Sequence, residues 1–166
     1  MARQLWLLRH ADAEPHGARP DSERRLTARG EDQARLAGLA LARLEVVFDA
    51  VLVSPKVRAQ QTAQLAAASW SEQQRGLLHT HAPLAGGFDA AQALAALTEI
   101  VPEGRLMVVG HEPDLSRTIG ELTGARVDLK KGGLAAVRLS VAAGELTILL
   151  RPRELALIAD VATADV

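Results

Sequence analysis

Four residues in this chain have the types and the placement that phosphoryl chemistry requires. Arg9 and His10 follow the apolar run Leu5-Trp6-Leu7-Leu8. Arg58 comes shortly after Ala50-Val51-Leu52-Val53, in the segment Ser54-Pro55-Lys56-Val57-Arg58. His111 follows Leu106-Met107-Val108-Val109, in Gly110-His111-Glu112-Pro113. A neutral imidazole flanked by guanidinium groups can attack phosphorus and form a covalent phosphohistidine. The guanidiniums and a second imidazole can then hold the transferring oxygens. Nearby cations depress the attacking imidazole's pKa and keep it unprotonated near neutrality. Such a scheme calls for no metal and no cofactor.

The elements that must position these residues are legible in the hydropathy pattern. Each apolar run is continuous rather than alternating, as expected of strands buried on both faces of a parallel sheet. Helical patterns lie between the runs. Thr27 to Leu44 opens on a capping Thr and carries Ala34, Ala37, Leu41 and Leu44 at helical spacing. A second helix is predicted from Ser54-Pro55, with Ser as cap, to about Ala68. A third runs from Asp89 or Ala90 to Ile100, and a fourth from Pro113 to Leu122, ended by Gly124. Leu77 to His81 reads as a weaker strand. Leu134–Leu139 and Leu146–Leu150 read as a hairpin at a sheet edge. Beyond Arg153 a short helix is expected, with fraying after about residue 155. Strands alternating with helices predict an α/β three-layer sandwich: a mostly parallel central sheet, helices on both faces and a C-terminal edge hairpin. Residues 1–166 read as one domain.

Ligands bind such sheets at the carboxyl ends of the strands. Placement of two Arg and two His at three strand ends is therefore not a chance pattern. Arg58 falls in the first turn of its helix, where a long side chain leans back toward the strand end. Free N–H groups at the helix start add to an anion site suited to a phosphoryl group.

At this point the chain resembles the histidine phosphatase (phosphoglycerate-mutase-like) superfamily. Leu8-Arg9-His10-Ala11 is similar to its first motif, the segment Ser54 to Ala63 to its second, and Val109 to Pro113 to its third. Asp21 to Gly30 resembles the family's entry into the first helix. Leu150-Arg151-Pro152 and the small size resemble its SixA-type phosphohistidine phosphatase branch. The resemblance implies His10 as nucleophile and Arg9, Arg58 and His111 as the phosphate pocket, with Arg24 at its edge. Ser54 and Glu112, lying inside the second and third motifs, are added as substrate-binding candidates. Ala11 stands where many members have Gly, as the SixA-type branch also shows. The family's larger members carry insertions that cap the pocket. The 166 residues here leave no length for a large lid. An open site suits a histidine on another protein's surface.

Many members also place a carboxylate acid between the second and third motifs. Here residues 73 to 88 contain no Asp or Glu. An alkoxide leaving group needs protonation, to which a positioned acid contributes about 10²–10⁴-fold. Imidazole titrates near ~6.5 and leaves far more easily. The missing acid thus points to phosphohistidine on a protein as substrate. The alternative is a small phosphate ester, with Asp12, Glu14 or Glu112 as the acid. Asp12 and Glu14 alternate with His10, so all three are expected to face the pocket. His10, Asp12 and His111 would form the ligand set of a metal-dependent hydrolase, a less favoured reading. A non-catalytic phosphate-binding module is a further alternative, which the intact Arg9, His10, Arg58 and His111 set argues against. A neutral His10 also implies activity that falls on acidification, with a flat profile down to about pH 5 counting against it.

Composition narrows the remaining classes. A formal charge of −1, from 19 Lys+Arg against 20 Asp+Glu, argues against a general nucleic-acid or membrane-surface binder. Two Trp, two Phe and no Tyr leave little for base stacking. The absence of Cys excludes a thiol nucleophile and a thiolate zinc site. Only three of the basic residues are Lys, a bias that a GC-rich genome accounts for in bulk. No targeting segment or membrane span is visible, which predicts a cytoplasmic protein. His79 and His81 read as ordinary strand or loop residues, His16 as solvated, and Lys130-Lys131 as a solvated turn.

Overall fold

The computed structural model describes residues 2–160. Six strands form one sheet: β1 (Arg3–Arg9), β2 (Ala50–Val53), β3 (Leu78–Thr80), β4 (Arg105–Gly110), β5 (Leu134–Leu139) and β6 (Gly144–Leu150), in the order β3-β2-β4-β1-β5-β6. The first four in that order run parallel, and β5 and β6 form the antiparallel hairpin at the other edge. This is the expected mostly parallel α/β architecture.

Side chains on the central strands alternate between two cores. Trp6, Leu8, Val51, Val53, Met107 and Val109 face one; Leu5, Leu7, Leu106 and Val108 face the other. Because both faces are covered, each strand reads as a continuous apolar run. Helices α1 (Ala28–Arg43), α2 (Val57–Ala67) and α6 (Pro152–Asp160) cover the first face. The four-residue α3 (Glu72–Arg75) connects α2 to β3; nothing in the hydropathy pattern marks so short a helix. Helices α4 (Ala90–Thr98) and α5 (Asp114–Thr123) cover the second face. Among the described residues, no helix is long and apolar enough to cross a membrane.

Several boundaries follow the caps predicted from sequence. The Thr27 hydroxyl accepts from the Gly30 N–H, and Gly124 ends α5 in the left-handed conformation at φ 75°. Asp89 caps α4 in a reciprocal capping box with Gln92. Two boundaries differ. Helix α2 begins at Val57, not at Pro55, and Ser54 does not cap it. The Ser54 hydroxyl is drawn instead to His111, so Ser54 to Lys56 form a turn before the helix. Helix α6 continues to Asp160, past residue 155, because Leu155 and Ala159 are buried against the first core. Any fraying beyond that point lies outside the described residues.

Helices α1 and α2 touch through their backbones. A Cβ on Gly38 would lie 1.9 Å from the Ala66 carbonyl oxygen. The Gly38 carbonyl in turn accepts from the Trp70 indole N–H at 3.0 Å. Gly→Ala inside a helix normally stabilises by about 1 kcal/mol. Here the close approach reverses the sign: Gly38→Ala is expected to destabilise by about 1–3 kcal/mol, as overpacked sites do. Urea denaturation of the two proteins measures this, and a gain in stability would show that the helices separate without cost.

Candidate active site

Register alone brings the expected residues together. Arg9 pairs with Gly110 across β1 and β4. Just past the strand ends, the His10 N–H donates to the Gly110 carbonyl and the Ser54 N–H to the Val109 carbonyl, both at 3.0 Å. His10, Ser54 and His111 therefore emerge side by side at the carboxyl edge. The His10 and His111 rings lie 5.2 Å apart, tilted by 48°. Arg58, on the first turn of α2, completes the cluster with Arg9 and Arg24 around a cavity of about 200 Å³. His10, Arg24, Arg58 and His111 are all buried.

Hydrogen bonding orients the His10 ring. Its Nδ1 lies 2.8 Å from the Ala11 carbonyl, which can only accept, so Nδ1 carries the proton. Nε2 is left with a free lone pair. The Ala11 N–H donates in turn to the Thr62 hydroxyl at 3.1 Å, and that hydroxyl donates to the Arg58 carbonyl at 2.7 Å. The backbone that holds the imidazole is thus tied to the helix that delivers Arg58. Opposite, His111 Nε2 lies 2.7 Å from the Ser54 hydroxyl, and its buried Nδ1 has no protein partner. The Nε atoms of Arg9 and Arg58 are likewise buried without a partner.

Both imidazoles are held neutral. Burial pushes His10 down to about 4, with Arg58, Arg9 and Arg24 acting in the same direction against the pull of the Ala11 carbonyl. Burial pushes His111 down to about 3, helped by His10, Arg58 and Lys56. These values correct the expectation that activity falls above pH 5. A buried His10 stays neutral through that range, so a flat profile to pH 5 is what a neutral attacker here should give.

Arg24 and Arg58 share one counterion, Asp21, that the sequence pattern does not single out. Asp21 Oδ1 accepts from Arg24 Nη2 at 3.0 Å, and Oδ2 from Lys56 Nζ at 2.9 Å and Arg58 Nη2 at 3.4 Å. The Asp21 carbonyl accepts from Arg58 Nη1 at 2.7 Å. The ammonium of Lys56, with Arg58 and Arg24, holds the Asp21 carboxyl far below the usual range. Arg24 also donates to the Glu14 carbonyl at 2.7 Å, which closes the 14–24 loop over the cavity's edge. Arg9 is fixed from the far side by the Leu129 carbonyl at 3.0 Å. Only the position of Asp21 at the start of the Asp21–Gly30 segment hinted at its importance.

Ser54 and Asp12 are placed differently from the expectation, whereas Glu14, Glu112 and His16 lie where it puts them. Ser54 is fully buried behind His111, so it orients that ring instead of meeting substrate. Asp12 turns away from the cavity: its carboxylate accepts from the Thr27 hydroxyl at 2.7 Å and pairs with Lys131 at 3.6 Å. The strand alternation that would aim it inward ends at Arg9. His10, Asp12 and His111 consequently do not converge, and among the described residues no cluster of three His, Asp or Glu could hold a metal, His79 and His81 included. Glu14 does line the cavity, but the Arg25 N–H and the Arg19 guanidinium hold its carboxyl below the usual range. Glu112 lines it too, while accepting from the Ser116 N–H in the first turn of α5 at 2.9 Å. The imidazole of His16 sits exposed at the rim.

Comparison with known proteins agrees with this geometry. The model of the histidine phosphatase superfamily (branch 1) matches residues 5–77. An uncharacterized protein of Picosynechococcus sp. is 32% identical over 140 residues, covering 81% of this chain and 84% of the relative. The solved structure of the protein histidine phosphatase SixA complexed with tungstate aligns with a TM-score of 0.78 at 27% identity, over 92% of this chain and 99% of that one. A putative phosphohistidine phosphatase SixA from Nakamurella multipartitia aligns with a TM-score of 0.75 at 27% identity, over 92% and 97%. With the three motifs converging on one cavity, these likenesses show that the chain belongs to the histidine phosphatase superfamily and is SixA-like.

Proposed function

We propose that this protein is a metal-independent phosphatase with His10 as nucleophile, and that its substrate is phosphohistidine carried on a protein. The observation that carries the reading is the His10 Nδ1–H bond to the Ala11 carbonyl, which leaves a bare, uncharged Nε2 among three guanidiniums. In the first step Nε2 attacks phosphorus. A P–Nε2 bond forms as the P–N bond of a substrate imidazole protonated on its other ring nitrogen breaks, and the ring departs as neutral imidazole with the proton it already carried. Water then attacks the phosphoenzyme, a P–O bond replaces P–Nε2, and phosphate departs. Arg9, Arg58 and His111 line the space in which the transferring oxygens would lie. Arg24 and Glu112 border the same space.

Leaving-group chemistry supports the substrate class. Of the three carboxylates considered as acids, Asp12 points elsewhere and Glu14 is held ionised. Neither is suited to protonate an alkoxide, whereas imidazole needs no strong acid. Glu112 favours a second reading, a small phosphate ester, because its carboxylate does border the cavity. Presenting a phosphorylated histidine phosphotransfer protein and a panel of sugar phosphates to one preparation separates the two. The first reading expects the phosphoprotein to be turned over far faster.

His10→Ala is expected to reduce turnover by more than about a thousandfold and to abolish the acid-quenched phosphoenzyme, as loss of a nucleophile does. Chelator should leave the wild type unaffected. Full activity in the variant would sink the reading.

The burial of His10 makes a separate prediction. NMR titration of the ring should show it neutral at pH 5 and protonating near 4. The unfolded chain binds the proton first, at about 6.5, so the contribution of this residue to stability is lost as pH falls from there toward 4. The melting temperature of the wild type should accordingly fall more steeply over that window than that of His10→Ala. Equal slopes would mean that the ring is hydrated in the folded state.

A further inference from the structure

A second concavity, of about 510 Å³, opens beside the reaction cavity, and Arg9 and Lys131 line both. Its remaining wall brings together Arg29, Lys130, Arg151 and Arg153. These come from the start of α1, the turn before β5 and the start of α6, so the fold and not a local charge run assembles them. The only carboxylate in the lining is Asp12. Lys130, Lys131 and Arg151 are partly neutralised by Asp128, Asp12 and Glu154. Arg29 and Arg153 are exposed and, among the described residues, take no carboxylate partner. In a chain of net charge −1, six cations bordering one groove are a marked local concentration.

Two of these cations sit where helix physics disfavours them. Arg29 is the second residue of α1 and Arg153 the second of α6. A cation in a first helical turn opposes the macrodipole at a cost of about 0.3–1 kcal/mol. Both stand at the same groove, beside the cavity that accepts the phosphoryl group. A general Arg bias does not explain why the two converge.

We infer that this basic groove docks the acidic protein surface surrounding the phosphohistidine, and so selects phosphoproteins over small phosphates. This rests on the substrate class proposed above and extends it from the reaction cavity to recognition. The cavity of about 200 Å³ holds little beyond a phosphoryl group and a ring, so recognition of a protein must come from outside it. The chemistry of the groove favours an acidic protein over RNA, because no aromatic side chain lines it to stack a base. Charges at the rim act mainly on association rate and on salt dependence.

The test compares the full-length wild type with Arg29→Glu/Arg153→Glu. Acidic residues suit the first turn of a helix, so both substitutions are compatible with folding. Two substrates are used: a phosphorylated histidine phosphotransfer protein with an acidic surface around its histidine, and free phosphohistidine. For the phosphoprotein, KM is expected to rise about tenfold or more with kcat unchanged, and the salt dependence to flatten. Turnover of free phosphohistidine should not change, and polyglutamate should compete only against the phosphoprotein. An unchanged phosphoprotein KM overturns the groove while leaving the proposed function standing. Equal loss on both substrates also overturns it, as damage to the cavity. A wild type that hydrolyses free phosphohistidine but not the phosphoprotein overturns the substrate class and the groove together. An RNA oligonucleotide that competes more strongly than polyglutamate assigns the groove to nucleic acid.

Discussion

Much of the site depends on the hydrogen bond from His10 Nδ1–H to the Ala11 carbonyl. It selects one tautomer and one ring orientation, and both are prerequisites for a nucleophilic nitrogen. The bond forms between neighbouring residues, so the ring's position is only as good as the backbone at Ala11. That backbone is anchored through Thr62 to α2, and Ala11 is itself fully buried with Ala13, Leu26 and Ala34. A Cβ on Gly30 would meet the Asp12 carbonyl oxygen at 1.9 Å, so the next residue of the same loop is pressed directly against α1. The accuracy of one imidazole is thus borrowed from the packing of two helices against a loop.

The same geometry sets the electrostatics. Three buried or half-buried guanidiniums would repel one another strongly without compensation. Asp21 offsets Arg24, Arg58 and Lys56 from outside the cavity. It therefore holds these three cations in place beside the cavity that two of them line. The two imidazoles add no further positive charge, because burial holds both uncharged.

The parts that were legible in the sequence share a physical cause. β1, β2 and β4 are buried on both faces, so each reads as an uninterrupted apolar run with a sharp end. Whatever follows such an end must lie at the sheet's carboxyl edge, which groups Arg9, His10, Arg58 and His111 from the sequence alone. The misreadings lie where loops take over. Strand alternation extended past the end of β1 places Asp12 at the cavity, but the chain there bends to pack on α1. Ser54 looks like a cap because Ser-Pro commonly starts helices; only the position of His111 shows that its hydroxyl is engaged elsewhere. Asp21 and Thr62 act through residues distant in sequence, at 37 positions from Arg58 and 51 from Ala11, and no local pattern encodes such contacts.

The Lys130-Lys131 turn makes the same point about charge. Alone in the sequence it reads as a solvated turn, and both side chains are indeed exposed. Gly132 N–H donates to the His10 carbonyl at 3.0 Å, which docks this turn against the strand end that carries His10. The fold then sets Arg29 and Arg153 beside it, from chain positions more than a hundred residues apart. A charge balance near zero excludes a uniformly basic binder but says nothing about where the cations gather. The useful quantity is the local field next to the chemistry. Here the cavity presents guanidiniums whose own counterion is spoken for, and the adjoining groove extends the same sign outward. On the proposed reading, a pocket that fits any phosphoryl group would gain selectivity from a neighbouring surface that only a macromolecule can reach, so reaction and recognition would vary independently on one scaffold.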